Sequence, residues 1–456
     1  MYRSLTTLAL VTLASAPVVA QTGVIEANSS TKDLVRGMQT SNDGVVATAN
    51  GTLWALVWER VSATGIGSLE LRYSTDQGST WVDNNIKIQG GAIAHSSLGT
   101  MSLARNGQRI HLLWSALTGQ GGANLYYSAW YQAFDVVAKT FVGSPELIAD
   151  GYGTNNQFYG HAIAETGEGH LVAAITSHRA GGLGLAAWSC GLWIKQKGTT
   201  TWPTNGIQVN TGSGQNPAME VVGERVHLTM RDTTGGYGPI YRRYNVKTAS
   251  FEVGVVPCWP SSQGTTVGAG NLYSFVLDDD GGKWLLWPEG VVSGNTNAAL
   301  NLSYAAPGKG DAQNDWAKNE LFKDSGITGG NTAERFYGLA RTTGSNVYVF
   351  YSKPADGYNT LYYEVWSGGK SVVPPIKLSS TTTTDRYTWV AGVHRRHNGH
   401  APMVVTWGLY VASTSSGQVD FWRAGNRGFY TVYGSGCQGS LGDEPTVTAN
   451  SYPTQG

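Results

Sequence analysis

Short apolar runs recur along this chain, each introduced by a turn that contains glycine. Gly51-Thr-Leu-Trp-Ala-Leu-Val-Trp58, Gly107-Gln-Arg-Ile-His-Leu-Leu-Trp114 and Gly169-His-Leu-Val-Ala-Ala-Ile175 share one form. Four more units follow: Gly223 leads into Arg225–Met230, Gly282 into Lys283–Trp287, Gly344 into Asn346–Tyr351, and Gly399 into Pro402–Trp407. Self-similarity at a fixed long period is the mark of a repeat architecture. A second run in each unit reads as a further strand: Leu69–Tyr73, Asn124–Tyr127, Leu192–Ile194, Ile240–Tyr244, Leu300–Tyr304, Leu361–Tyr363 and Val419–Trp422. The runs are rich in β-branched and aromatic residues, and no long stretch carries a helical period. The pattern predicts an all-β, seven-bladed β-propeller of four-stranded antiparallel blades, because seven units of this length are what four strands and their loops require.

The N-terminus sets the expected compartment. Arg3 supplies a basic start, Leu5 to Ala16 is mainly apolar, and Val18-Val19-Ala20 offers small residues before Gln21. This predicts a secretory signal peptide over residues 1–20, a propeller over 21–433, and a Gly, Ser, Thr and Pro-rich tail or linker over 434–456. A secreted or periplasmic monomer follows as the expectation.

Formal net charge is zero and only 14% of residues are charged, so nothing in the chain has the electrostatic footprint of a nucleic-acid or anionic-membrane partner. A neutral polysaccharide-handling surface fits better. The 16 Trp and 23 Tyr agree with that, since rings stack on sugar faces, although most single aromatics of a β protein fill its core. Three cysteines, Cys190, Cys258 and Cys437, allow one disulfide, with Cys190 to Cys258 the favoured pairing.

With so few charges, polar groups at successive strand ends stand out. The second strands end at Arg60, Ser115, His178 and Arg179, Arg231, and Glu289. First strands open with His95, Tyr159 and His161, Gln215, Tyr273, Arg335 and Tyr337, and Arg386 and Tyr387. His178, Arg231 and Tyr273, with Tyr159 or His161, form the candidate catalytic set. His95, Arg60, Arg179, Gln215, Glu289, Arg335, Tyr337, Arg386 and Tyr387 are candidate substrate-binding groups. Arg grips a carboxylate in a bidentate fork, and His or Tyr moves protons when tuned toward the working pH. No Cys/His spacing suggests zinc and no cofactor is expected. Asp278-Asp279-Asp280 before two glycines admits structural calcium, but such a run reads first as a solvated turn.

Ser74-Thr-Asp76-Gln-Gly78-Ser-Thr-Trp81 matches the Asp-box pattern, with a degenerate echo in Gly198-Thr-Thr-Thr-Trp202. On these residues the chain resembles the sialidase-like Asp-box (BNR-repeat) propeller superfamily. The segment Phe158 to His178 and the strand ending in Arg231 resemble, within it, the propeller polysaccharide lyases of the ulvan lyase type. The resemblance implies β-elimination on a uronic-acid-containing polymer, with His178, Arg231 and Tyr273 on three of five site positions. The first His position of that group falls near Phe158 and Tyr159, with His161 displaced, and the Tyr that stands about sixteen residues before the Arg is Gln215 here. A sialidase-like hydrolase is the first alternative: Arg60, Arg231, Arg335 and Arg386 as the clamp, Tyr387 or Tyr337 as nucleophile, Glu289 as its partner. The Arg-Ile-Pro opening of that family's site is absent. A non-catalytic glycan-binding propeller is the second alternative.

Overall fold

In the computed structural model, the described residues cover most of 24–432, broken by segments of which the longest are 35–44, 89–98, 264–272, 290–297, 325–336, 394–402 and 412–426. Among the described residues the chain forms seven sheets with antiparallel neighbours, and two 3-10 turns of three residues, Ser261–Gln263 and Gln313–Asp315, are the helical structure. Six sheets have four strands and the first has a fifth short one. Sheets two to six each run in chain order, for example Phe158–Glu165, Leu171–Ser177, Ser189–Lys195 and Ile207–Gln208 in the third.

The glycine-led runs are the second strands. Gly107, Gly169 and Gly223 sit at φ of 69°, 92° and 57°, the left-handed region that closes a tight turn without a Cβ clash. In the fifth unit the positive φ falls on Gly281, one residue before the glycine that the repeat marks. The seventh sheet departs from the sequence reading. Its third strand is Arg427–Val432, hydrogen-bonded to Met403–Val411, whereas Val419–Trp422 lies outside the described residues. Its fourth strand is the N-terminal Val24–Asn28, paired from Val24↔Val432 to Asn28↔Gly428. Both chain ends therefore build one sheet.

Why the second strands are apolar on both sides is visible in the packing. Ala173 and Ile175 bury in a cluster with Leu113 and Tyr131 of the second sheet, while Val172 and Ala174 bury with Met219 and Leu228 of the fourth. Likewise Leu285 and Trp287 face the fourth sheet, and Trp284 and Leu286 the sixth. Sheets two to five are each sandwiched between two neighbours, so the period-2 alternation of a one-sided sheet gives way to continuous apolar runs. Each such Val or Leu contributes about 1.5–3 kcal/mol by leaving water. Among the described residues seven Trp and four Tyr are the largest fully buried side chains, so these aromatics serve the core. Trp202 packs edge-on against Tyr131 of the preceding sheet at 5.4 Å, the inter-blade role expected of the Asp-box echo. Asp76 to Trp81 of the full box lie outside the described residues.

The favoured disulfide does not form. Cys190 and Cys258 are free and buried in separate clusters, one between the third and fourth sheets and one between the fourth and fifth. Burial pushes both thiols well up, so neither is a ready nucleophile.

A second buried element repeats between sheets. His111 Nδ1 meets Tyr131 Oη at 2.9 Å, and His227 Nδ1 meets Tyr241 Oη at 2.8 Å. His227 is held neutral, because burial and the cations Lys283, Arg243 and Arg225 all oppose protonation. Its folded pKa lies below the unfolded value of about 6.5, so the stability it contributes is complete above that pH and falls as the pH drops toward the folded value. Urea unfolding between pH 7 and 5 is expected to show stability declining by up to about 1.4 kcal/mol per pH unit from this residue. In His227→Gln the slope should be shallower by one proton; an unchanged slope would contradict the assignment.

Candidate functional site

Each sheet has two edges, and they face consistently. On one edge lie the turns between first and second strands. Arg105 N–H donates to Glu165 Oε2 at 2.8 Å, and Gly167 N–H to Gly223 O at 2.7 Å, so turns of neighbouring sheets touch. On the other edge lie the second-strand ends and first-strand starts, which also touch. Ser115 meets His161 across sheets two and three, and Arg231 lies close enough to Tyr273, across sheets four and five, to stabilise its phenolate. Arg231 and Glu289 close their second strands on this edge, the rim, as the sequence reading expects, whereas the second strand of the second sheet, Arg109–Gly121, runs six residues past Ser115, which is a buried mid-strand residue level with the first-strand starts.

Irregular registers shape that rim. In the third sheet Tyr159 pairs with Thr176 but His161 pairs with Ile175, leaving Gly160 as a bulge. The fourth sheet has the same feature between Gln215 and Ala218, and the seventh between Thr388 and Val390. Bulges re-aim side chains and concentrate near binding sites. Here the bulge turns His161 to the side of Ile175, which faces the second sheet, and its Nε2 reaches Ser115 Oγ at 2.5 Å. Both residues are buried.

Arg231 is half-buried, in register between Gln215 and Pro239. Thr229 and Arg231 alternate with Leu228 and Met230, which face the third sheet, so the Arg231 strand end presents its side chain toward the fifth. Tyr273 stands there, 1% exposed, in a cluster with Phe275 and Trp287. Its Oη is buried and has no hydrogen-bond partner among the described residues. Burial pushes this phenol well up, with Arg231 pulling the other way. The group is a proton donor, not a phenolate base.

The remaining candidates divide three ways. Glu289 is half-buried, forms an ion pair with Lys318 and accepts from Asn301 Nδ2 at 2.9 Å. Its described oxygen contacts are thus with Lys318 and Asn301, not with a tyrosine. The backbones of Arg60, Tyr159, Gln215, Tyr337, Arg386 and Tyr387 lie in strands at the expected rim positions, and only the backbone of each is described. His95, His178, Arg179 and Arg335 lie outside the described residues.

A Tyr–Glu pair does exist elsewhere. Tyr351 hydrogen-bonds Glu364, but burial and that neighbour push Tyr351 up and burial pushes Glu364 up. A tyrosine whose hydroxyl is held protonated by burial and by Glu364, packed against Phe322, is a wall element and no activated nucleophile. The sequence reading missed Ser115 as a partner of His161, since sequence spacing does not reveal a contact between adjacent sheets.

Asp278 is buried, contrary to the solvated turn expected of it. Its Oδ1 accepts from Gly282 N at 2.6 Å and Asp280 N at 3.1 Å, and Oδ2 from Trp284 Nε1 at 2.8 Å. It holds the turn in the manner of an Asx motif. Among the described residues one group has the make-up of a metal site, Glu168, His170 and Glu224, with ligand atoms within 4.8 Å of one another. His170 Nδ1, however, accepts the Lys197 N–H at 3.0 Å, which places the ring proton on Nε2, facing both carboxylates. Nε2 stays 3.8 and 4.0 Å from the Glu168 and Glu224 carboxylates, and the adjacent turns are tied together on the edge away from the rim by the Glu168 N–H donating to Glu224 Oε1 at 2.6 Å.

No protein-family model matches the chain, and no curated protein sequence matches it. Solved structures with a similar fold include an ulvan lyase from a family of polysaccharide lyases, 11% identical, covering 85% of this chain and 96% of that one with a TM-score of 0.49. An α-L-arabinofuranosidase from Fusarium graminearum is 9% identical over 89% of this chain and 97% of its own, TM-score 0.44. A Trypanosoma rangeli sialidase is 11% identical over 78% and 59%, TM-score 0.40. Among the described residues no helix is long and apolar enough to cross a membrane.

Proposed function

We propose that the seven sheets are the blades of one ring spanning residues 21–433, and that this exported, monomeric propeller is a lyase acting on a uronic-acid-containing polysaccharide, with the tail over 434–456 outside it. The observation that carries the reading is the junction of the fourth and fifth sheets, where the charge of Arg231 acts on a buried Tyr273 hydroxyl that has no hydrogen-bond partner among the described residues. Arg231 grips the uronate carboxylate and offsets the charge that grows there as the proton at C5 leaves. His178 or Tyr159 takes that proton, because His161 is buried against Ser115 between the second and third sheets. The C5 electron pair forms the C4=C5 bond and the C4–O bond breaks. Tyr273, kept protonated by burial, supplies the proton to the departing oxygen. Water is not consumed and the reading requires no cofactor.

Incubation with a panel of uronate polymers, ulvan and rhamnose-glucuronate gums first, tests this. A lyase yields rising ultraviolet absorbance together with new reducing ends. Reducing ends alone would replace the reading with a hydrolase. Retardation in affinity gels with neither signal would replace it with a glycan-binding propeller.

A further inference from the structure

Three places match the acceptor pattern Asn-x-Ser/Thr: Asn28-Ser29-Ser30, Asn50-Gly51-Thr52 and Asn301-Leu302-Ser303. The structure separates two of them sharply. Asn301 is fully buried in the strand Ala298–Ala305 and its Nδ2 donates to Glu289 Oε2 at 2.9 Å. A sugar on that nitrogen would have to displace the inter-strand packing and break the Glu289 contact, so a folded molecule does not carry one. Asn50 is exposed, in the turn between the strands Val45–Ala47 and Leu53–Arg60. Its side-chain oxygen does the structural work, accepting from Thr48 Oγ1 at 2.6 Å and from Thr52 N at 3.1 Å. Nδ2, the atom that a glycan occupies, makes no hydrogen bond among the described residues, and substituting it leaves the turn intact.

We propose that Asn50 is an N-glycosylation site, conditional only on export through a pathway that carries the transferase. The reaction joins Asn50 Nδ2 to C1 of an oligosaccharide supplied on a lipid pyrophosphate. The C1–O bond to the pyrophosphate breaks, the lipid pyrophosphate leaves, and one amide proton is lost. The turn lies on the first-to-second-strand edge, the one opposite Arg231, Tyr273 and Ser115, so the glycan covers the far face of the molecule and leaves the rim clear. Its bulk suits an exposed surface turn.

The test expresses the full chain in a eukaryotic secretory host, once with residues 1–20 and once with an established leader in their place. Secreted protein is treated with a peptide N-glycosidase in heavy-oxygen water and its peptides are weighed. The Asn50 peptide is expected to appear as labelled Asp, the Asn301 peptide as unlabelled Asn, and the Asn50→Gln variant to lose the label while cleaving polymer at the wild-type rate. Secreted protein whose Asn50 peptide is unlabelled overturns the proposal, as does a labelled Asn301 peptide in folded protein for the burial argument. Secretion with the established leader alone would show that residues 1–20 fail as a leader while the glycan assignment is still read from the secreted product.

Discussion

Arg231→Ala is expected to slow polymer cleavage by at least about a hundredfold, roughly 3 kcal/mol of transition-state stabilisation, by analogy with removal of an oxyanion donor. The charge that develops on the uronate as its C5 proton leaves has to be met by a fixed cation, and Arg231 is the described guanidinium whose charge acts on Tyr273. Arg231→Lys should recover part of the rate at most, since an ammonium keeps the charge but not the planar fork. The initial rate of ultraviolet absorbance at saturating polymer, beside an unchanged unfolding midpoint, reads the effect. A fully active Arg231→Ala would place the carboxylate clamp elsewhere on the rim and end the lyase reading as stated.

Trp193→Ala should cost about 3–5 kcal/mol of stability, the range for losing a large buried aromatic. Trp193 is wholly buried between the second and third sheets with Leu113, Tyr131, Ile163 and Ile175. Two glycines exist to admit its ring: a Cβ on Gly191 or on Gly206 would lie 2.8 Å from it. Gly206→Ala should therefore destabilise by about 1–3 kcal/mol through overpacking in the wild-type protein. In the Trp193→Ala background the same change should cost far less, because its obstacle is gone. Urea midpoints of the four proteins give the coupling directly. Additive costs would mean that the ring and the glycine do not share one contact.

The sequence by itself determined the all-β character, the second strands and most third strands. Those properties are local: a glycine that permits the turn, then apolar residues dense enough for a strand buried on both faces, as in Leu171–Ile175. It also placed Arg231 and Glu289 at the ends of their second strands, because strand direction alone fixes which ends coincide, but not Ser115, whose strand continues to Gly121. Tertiary structure decided what depends on neighbours far apart in the chain. The last sheet takes its outer strand from Val24–Asn28, some 400 residues from its partner, and no local pattern announces that pairing. Cys190 and Cys258 remain thiols because each lies in a different inter-sheet cluster. Glu289 meets Lys318 through a cross-strand position that the sequence reading did not weigh. The bulge at Gly160 is a matter of one residue of register, yet it hands His161 to Ser115 of the preceding sheet. Side-chain direction in a strand reverses with each residue, so a single inserted residue settles which neighbour a histidine serves, and only the paired strand reveals it.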